Sequence, residues 1–392
     1  MCDPFYITYK AQHIVIGSEI RNTAASYYKN LRGWRTNRKI VVIESDDWGS
    51  IRMPSREVYE KCLMAGYRVD QNPYERYDSL ASEDDLELLF DVLASFRDKN
   101  GKHPVITANC LTSNPDFEKI EDSGFQEYYF ESILDTFKKY PKHANCFSLW
   151  LEGASEGVFR PQSHGREHLN VSKFMRALQN KDPDIMFGFA YRMPGCIPKN
   201  TDKGRNRYVG STRYDSEYDK QEKRDIILDG LSLFEELFGY TSTTFIPPNY
   251  TWSRDFDEPV YRSGVRFLQG YHRMNEPQMD GTMSQYRCVF GAKNKAGIRY
   301  LNRNAIFEPT EQKLQYKAVH NCLKAIQAAF IMKKPAIISS HRINYVGFID
   351  PDNRDRNLIL LRSLLTTIIK RWPDVEFMSS DQLGQHITDT VQ

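Results

Sequence analysis

A chain of 392 residues, 40% hydrophobic and 27% charged, is long enough to bury a sizeable core as one large α/β domain or two smaller ones. Lys+Arg 53 against Asp+Glu 51 is nearly balanced, which gives no electrostatic reason to expect nucleic acid or an anionic membrane as partner. No apolar run approaches the ~20 residues needed to span a bilayer. The 7 cysteines are scattered and form no C-x-x-C pair, so neither a disulfide framework nor a zinc ribbon is expected. Met1-Cys2-Asp3-Pro4 lacks the basic and apolar regions of a secretory signal, and the expected compartment is the cytoplasm.

In chain order, residues 1–38 are expected to form a helical lead-in around Ser18–Leu31, packed outside a barrel that spans 39–392. Short β-branched or aromatic runs predict strands at Ile40–Glu44, Val105–Ala108, Phe147–Trp150, Met186–Tyr191, Thr243–Ile246, Val265–Leu268, Ala336–Ser339 and Glu376–Met378. Helical patterns fall between them at Glu83–Arg97, Tyr128–Tyr140, Val171–Gln179, Arg224–Phe238, Gln312–Met332 and Asn357–Arg371. This alternation predicts βα units and a parallel sheet. About seven or eight units in one chain suit a distorted, TIM-like (β/α) barrel. A doubly wound open sheet is the alternative, but the first strand lacks the Gly-rich phosphate turn that would favour it. Two long segments, 194–223 and 271–305, follow candidate strands and would decorate the C-terminal face of the barrel.

The densest chemical signal is His164-Gly165-Arg166-Glu167-His168. Imidazoles spaced i and i+4 share one face of a helical turn and can grip one metal ion. Two histidines are too few for a catalytic site, and the carboxylate pair Asp46-Asp47 at the end of the first strand is the candidate source of a third ligand. In a barrel, catalytic groups sit just past strand C-termini. Asp46-Asp47, Asn109, the histidine pair, Pro247-Pro248-Asn249-Tyr250 and His341-Arg342 all follow predicted strands. Singly, each has a structural explanation: a carboxylate pair caps or turns, and a histidine closing an apolar strand sits satisfied in a core. Their joint placement points to a metal-dependent hydrolase.

These stretches resemble the polysaccharide deacetylases of the NodB-homology type, carbohydrate esterase family four. The family's T-F-D-D-G, H-[ST]-x-x-H and R-x-P-[YFW] segments and its late histidine are similar, in order, to Glu44-Ser45-Asp46-Asp47-Trp48-Gly49, His164–His168, Ile246–Tyr250 and Ile338-Ser339-Ser340-His341. The resemblance implies that Asp46 is a general base, that Asp47, His164 and His168 bind the metal, and that His341 is a general acid. It implies one divalent ion, zinc by default with cobalt, nickel or iron fitting the same ligands, and a carbohydrate as substrate. Trp48 and Gly49 would break the strand so that both aspartates face the metal. Substrate contacts are expected from Asn109, Trp150, Arg160, Asn249, Tyr250 and Arg342. The chain departs from the pattern at Glu44-Ser45, at Gly165 and at Ile246, where the family has the arginine that orients the base. Arg160, Arg166 or Arg342 are the candidates to replace it.

Three other readings compete. H-G-R-E-H also fits the H-x-x-E-H metalloprotease pattern, with Glu167 as base and Glu235 or Glu236 as third ligand. A glycoside hydrolase on the same barrel would recruit Glu44, Asp46 and Glu152. A non-catalytic carbohydrate-binding relative would need neither base nor acid.

Overall fold

The first strand, β1 (Lys39–Trp48), is built on Ile40-Val41-Val42-Ile43, an unbroken apolar run whose side chains are all buried. Such a run suits a strand covered on both faces in a parallel sheet. The computed structural model describes residues 24–195, 199, 208–312 and 314–391. The remaining barrel strands follow in order: β2 (Ile106–Cys110), β3 (Phe159–Ser163), β4 (Thr244–Phe245), β5 (Phe267–Gly270), β6 (Arg299–Asn302), β7 (Ala305–Ile306), β8 (Ala336–His341) and β9 (Val375–Phe377). All pairings among them are parallel, in the order β6-β5-β4-β3-β2-β1-β8-β7, with β9 paired to the first residues of β1.

The two ends of this path are consecutive pieces of one extended stretch, separated only by Arg303-Asn304. Arg303 N–H donates to Gly270 O of β5 at 2.7 Å, and Asn304 N–H to Ile337 O of β8 at 3.0 Å. The curled sheet therefore becomes a (β/α) barrel through a single segment that bridges both edges. Ile40, Val42, Phe267, Leu301 and Ile337 share one apolar cluster with Leu383 and Ile387 of the C-terminal helix, Ser380–Val391. Alternate residues further along the same strands are polar: Glu44 and Asp46 on β1, Thr107 and Asn109 on β2, Gln162 on β3, Gln269 on β5 and Ser339 on β8. Period-two alternation keeps these on the face that Ile40 and Val42 occupy lower down. The barrel interior thus has an apolar floor and a polar upper storey. Val41, Ile43, Ala108 and Ile338 face outward into the larger cluster packed under the helices.

The strands of β1, β2, β4, β5, β8 and β9 lie where the apolar runs predict them, with ends shifted by a few residues. Two expected strands are helices instead. Phe147–Trp150 falls in the helix Cys146–Glu156, and Met186–Tyr191 in the helix Pro183–Ala190. Both runs are short and apolar, and periodicity alone does not separate a buried strand from one buried helical face. The third barrel strand is instead Phe159-Arg-Pro-Gln-Ser163, whose mixed composition hides it. The segment 271–305, expected as a loop, contains an antiparallel hairpin (Arg273–Pro277 with Met283–Arg287) and all of β6.

Of the lead-in, residues 24–29 are helical, and the expected helix before residue 24 lies outside the described residues. In the segment 194–223, positions 196–198 and 200–207 likewise lie outside them. Among the described residues no helix is long and apolar enough to cross a membrane.

Candidate active site

Adjacent residues on a regular strand point to opposite faces, yet Asp46 and Asp47 line the same cavity. The reason lies in β1. Its pairing with β2 shifts register between Ser45 and Trp48, and Asp47 takes φ 74°. This is a β-bulge, a device that re-aims a side chain at a barrel rim. The expected break at Trp48-Gly49 therefore falls one residue earlier, on Asp47 itself. Trp48 stays in the strand, buried, with its indole N–H on Ser45 Oγ at 3.0 Å.

His164 and His168 follow β3 in a loop, not on the helical turn that their spacing predicts. Gly165, at φ +107°, adopts a conformation that a side-chain-bearing residue rarely takes, and this turn brings the two rings to 5.2 Å between centroids. His164 Nε2 lies 3.4 Å and His168 Nε2 3.5 Å from the same oxygen, Asp47 Oδ1. His164 Nδ1 donates to the carbonyl of Ile246 at 2.8 Å. In the neutral ring that bond leaves the Nε2 lone pair aimed at a carboxylate oxygen. Burial pushes His168 down to about 3, so this ring is neutral. Burial would raise Asp47, but His168, Arg52 and His164 hold it well below the ordinary carboxylate range. Lone-pair donors converging on one point repel unless a cation lies among them. The Asp47-His164-His168 cluster, with ligand atoms within 4.8 Å of one another, therefore fits a divalent metal bound by three protein ligands.

Asp46 is held from behind. Arg303, in the bridge between β6 and β7, donates to Asp46 Oδ2 through Nη1 at 2.7 Å and to Oδ1 through Nη2 at 2.6 Å. The same guanidinium bonds Glu44 at 2.6 Å and the Tyr250 hydroxyl at 2.9 Å. Asn109 adds a donor to Asp46 at 2.7 Å and joins Gln269 at 2.9 Å. Burial opposes ionisation of Asp46, yet Arg303 holds it down at about 2. Glu44, set between Arg303 and the Ser380 hydroxyl, is pushed up by burial against the pull of Arg303.

On the other side stands His341, whose Nε2 is 3.6 Å from Asp46 and whose Nδ1 is 2.6 Å from Glu308. Burial would lower it, but Glu308 and the two aspartates raise it to about 10, so the ring is an imidazolium at neutral pH. The resulting cavity, of about 520 Å³, contains Asp46, Asp47, His164, His168 and His341, with Asn249 and Tyr250 on its wall.

The remaining expected contacts lie elsewhere, and each for a physical reason. Trp150 is buried among Trp48, Phe137, Phe159 and Phe238 on the helix Cys146–Glu156. Arg160 pairs with Asp381 at 3.0 Å and stacks on Tyr240. Arg342 is fully buried on Asp78 and the carbonyl of Ser50. Asn109 is buried too, and its contact is with Asp46 rather than with the cavity. Arg166 grips Glu167 and Asp229. None of the three arginines named as replacements reaches Asp46.

Arg303 was missed because the segment 271–305 reads as loop, and Glu308 lies just past it in a stretch assigned no element. The signal was Leu301-Asn302-Arg303-Asn304-Ala305, in which Leu301, Arg303 and Ala305 share one phase of a strand-like period and two asparagines the other. The protease reading fails on geometry: both Glu167 oxygens accept from Arg166, at 2.6 and 2.9 Å, and Glu235 and Glu236 are exposed on the helix Glu217–Phe238. Glu152, needed by the glycosidase reading, is also exposed on a helix.

No protein-family model matches the sequence, and no curated protein does. Among solved structures the chain is similar to a protein from Parabacteroides distasonis placed among the glycoside hydrolase/deacetylases, with TM-score 0.50, 8% identity, and coverage of 91% of this chain and 72% of that one. It is also similar to Puue allantoinase, with TM-score 0.45 at 10% identity over 90% and 91% of the two chains. The peptidoglycan deacetylase PdaC from Bacillus subtilis gives TM-score 0.34 at 10% identity over 90% and 93%. At such identities the likeness is one of fold alone, a curled parallel (β/α) barrel.

Proposed function

We propose that this chain is a metal-dependent hydrolase that removes an acetyl group from a carbohydrate or glycan precursor, an N-linked group in preference to an O-linked one. The observation that carries the reading is the approach of His164 Nε2 and His168 Nε2 to Asp47 Oδ1 at 3.4 and 3.5 Å, in the cavity that Asp46 and His341 also line. A divalent ion on those ligands, zinc by default, supplies polarisation of the acyl carbonyl and lowers the pKa of water.

The chain's own residues then divide the proton work. Asp46, kept ionised and fixed by the Arg303 fork, takes a proton from the attacking water. The hydroxide oxygen bonds to the acyl carbon. His341, charged through Glu308, gives its Nε2 proton to the leaving nitrogen as the C–N bond breaks. Products are acetate and a free amine. Tyr250 and Asn249 line the wall beside the base and are the proposed substrate contacts. Cys110, Cys146, Cys288 and Cys322 are buried free thiols, which suits the cytoplasmic setting expected.

The test is acetate release from a panel of N- and O-acetylated sugars, before and after chelation and after return of one divalent metal. Activity lost on chelation and restored by metal supports the reading. Metal-loaded protein that releases no acetate from any member refutes it.

A further inference from the structure

The hairpin of Arg273–Pro277 with Met283–Arg287 leaves the barrel just past β5, at the same end as the catalytic cavity. Tyr271, at its root, packs on the cavity-lining Tyr250 with ring centroids 4.4 Å apart. Register pairs Arg273 with Arg287, Asn275 with Gln285 and Pro277 with Met283. Period-two alternation puts these six side chains on one face, and Met274, Glu276, Ser284 and Tyr286 on the other. Met274 is buried, so the second face packs on the protein and the first is turned outward. The outward face carries no acid.

Like charges directly opposite each other on a ladder repel, and nothing relieves Arg273 and Arg287. Both are exposed, and among the described residues no carboxylate lies at ion-pair distance from either. His272 stands beside them, its ring T-shaped against Tyr28 at 6.3 Å. Burial, then Lys29, Arg273 and Arg287, hold that imidazole below its ordinary range, and no carboxylate acts the other way.

Acids do line the shallow cleft that Arg287 borders, but each is engaged. Glu276 pairs with Arg254 at 2.8 Å, Glu258 with Arg262 at 2.9 Å, and Asp255 with Lys220. Asp257 accepts from the Trp252 indole at 2.8 Å, and burial raises it to about 6. At the hairpin turn, Asp280 accepts from Thr282. Lys293 and Lys295, on the same cleft, are exposed and have no acid at ion-pair distance among the described residues. With the ion pairs set aside, Lys29, Arg273, Arg287, Lys293 and Lys295 face only Asp257 and Asp280. The surplus is positive even with both acids ionised. The near balance of charge over the whole chain conceals it.

The apolar side chains among these cations select the partner. Tyr28, beside His272, is 53% exposed; Met283, on the arginine face, is 37% exposed; and Met279, at the turn, is 39% exposed. Thioethers gain little against a nucleic-acid backbone. Basic residues interspersed with exposed apolar and aromatic ones suit a bilayer interface, where the cations meet phosphates and the apolar groups leave water.

We infer that the acid-free face of this hairpin docks the protein on a bilayer surface rich in anionic phospholipid, with Arg273, Arg287 and Lys29 on lipid phosphates and Tyr28 and Met283 in the headgroup layer. This is independent of the hydrolase reading. It would bring the end of the barrel that carries the cavity to a membrane surface.

The experiment is co-sedimentation of the full chain with vesicles of phosphatidylcholine, alone or with about one-third phosphatidylglycerol. Binding to the anionic vesicles is expected to be about tenfold or more tighter than to the neutral ones, and to weaken as salt is added. The double variant Arg273→Glu with Arg287→Glu should lose that preference with its Tm unchanged. Arg273→Gln with Arg287→Gln, which only neutralises, should give an intermediate loss. Met283→Ser should weaken binding less and leave its salt dependence in place. Absence of binding, equal binding to both vesicles, or a double-glutamate variant that binds like the wild type overturns the inference. A single-stranded RNA oligonucleotide that binds more tightly than the anionic vesicles, and loses binding in the same variant, assigns the face to nucleic acid and overturns it as well.

Discussion

The two walls of the cavity are built differently. The metal wall, Asp47 with His164 and His168, rests on irregular backbone: a bulge with φ 74° at Asp47 and a turn with φ +107° at Gly165. The acid–base wall, Asp46 and His341, sits where β1 and β8 pair in register and is fixed by buried ion pairs with Arg303 and Glu308. Metal ligands can be left with bare lone pairs because the ion itself organises them. A base and an acid that must hold their protonation states inside a protein need fixed counter-charges. The contrast predicts that damage to the first wall is read out in metal content, and damage to the second in rate and pH dependence.

Arg303 offers the largest break. Arg303→Ala would leave the buried carboxylates Glu44 and Asp46 without the guanidinium they share, at a cost of about 3–5 kcal/mol in stability by chemical denaturation. Arg303→Lys keeps the charge but not the fork, so kcat should fall on the order of 10²-fold. Metal content should stay unchanged, because Arg303 touches no residue of the metal wall. Loss of metal in Arg303→Lys would erase the distinction between the walls.

Glu308→Gln is smaller and sharper. Glu308 raises His341 to about 10, so the imidazolium persists from low pH until the pH nears that value. Removing the carboxylate lowers the folded pKa towards the ordinary histidine range near ~6.5. The alkaline limb of the pH–rate profile should therefore move to lower pH, with the acid limb unmoved. An alkaline limb that stays in place would remove His341 from the role of acid.

The smallest effect is expected at Trp150. Its ring fills the aromatic cluster under β1 and β3, so Trp150→Phe should lower stability by about 1–3 kcal/mol, seen as a lower Tm, without changing kcat/KM.

How much of this was legible in the sequence follows the same division. Residues that meet the reaction announced themselves through type and position: Asp46, Asp47, His164, His168 and His341 lie at or just past the C-terminal ends of strands and all line one cavity. Residues that act on them through space did not. Arg303 comes from the link between β6 and β7, 257 positions from Asp46, and the segment around it reads as loop because Gly, Asn and Arg interrupt its apolar alternation. The family-type arginine was therefore sought near the motifs, at Arg160, Arg166 or Arg342, where local ion pairs engage each one. The fold was readable wherever strands were apolar. It was misread at Phe147–Trp150 and Met186–Tyr191, where short apolar runs belong to helices, and at Phe159–Ser163, where a polar strand lies in the barrel wall.

The most direct test of the account is elemental analysis of the purified chain beside Asp47→Ala, with acetate release measured on both. The account predicts one equivalent of divalent metal in the wild type, none retained by the variant, and acetate release in the wild type alone. A variant that keeps its metal, or releases acetate without it, would contradict the account.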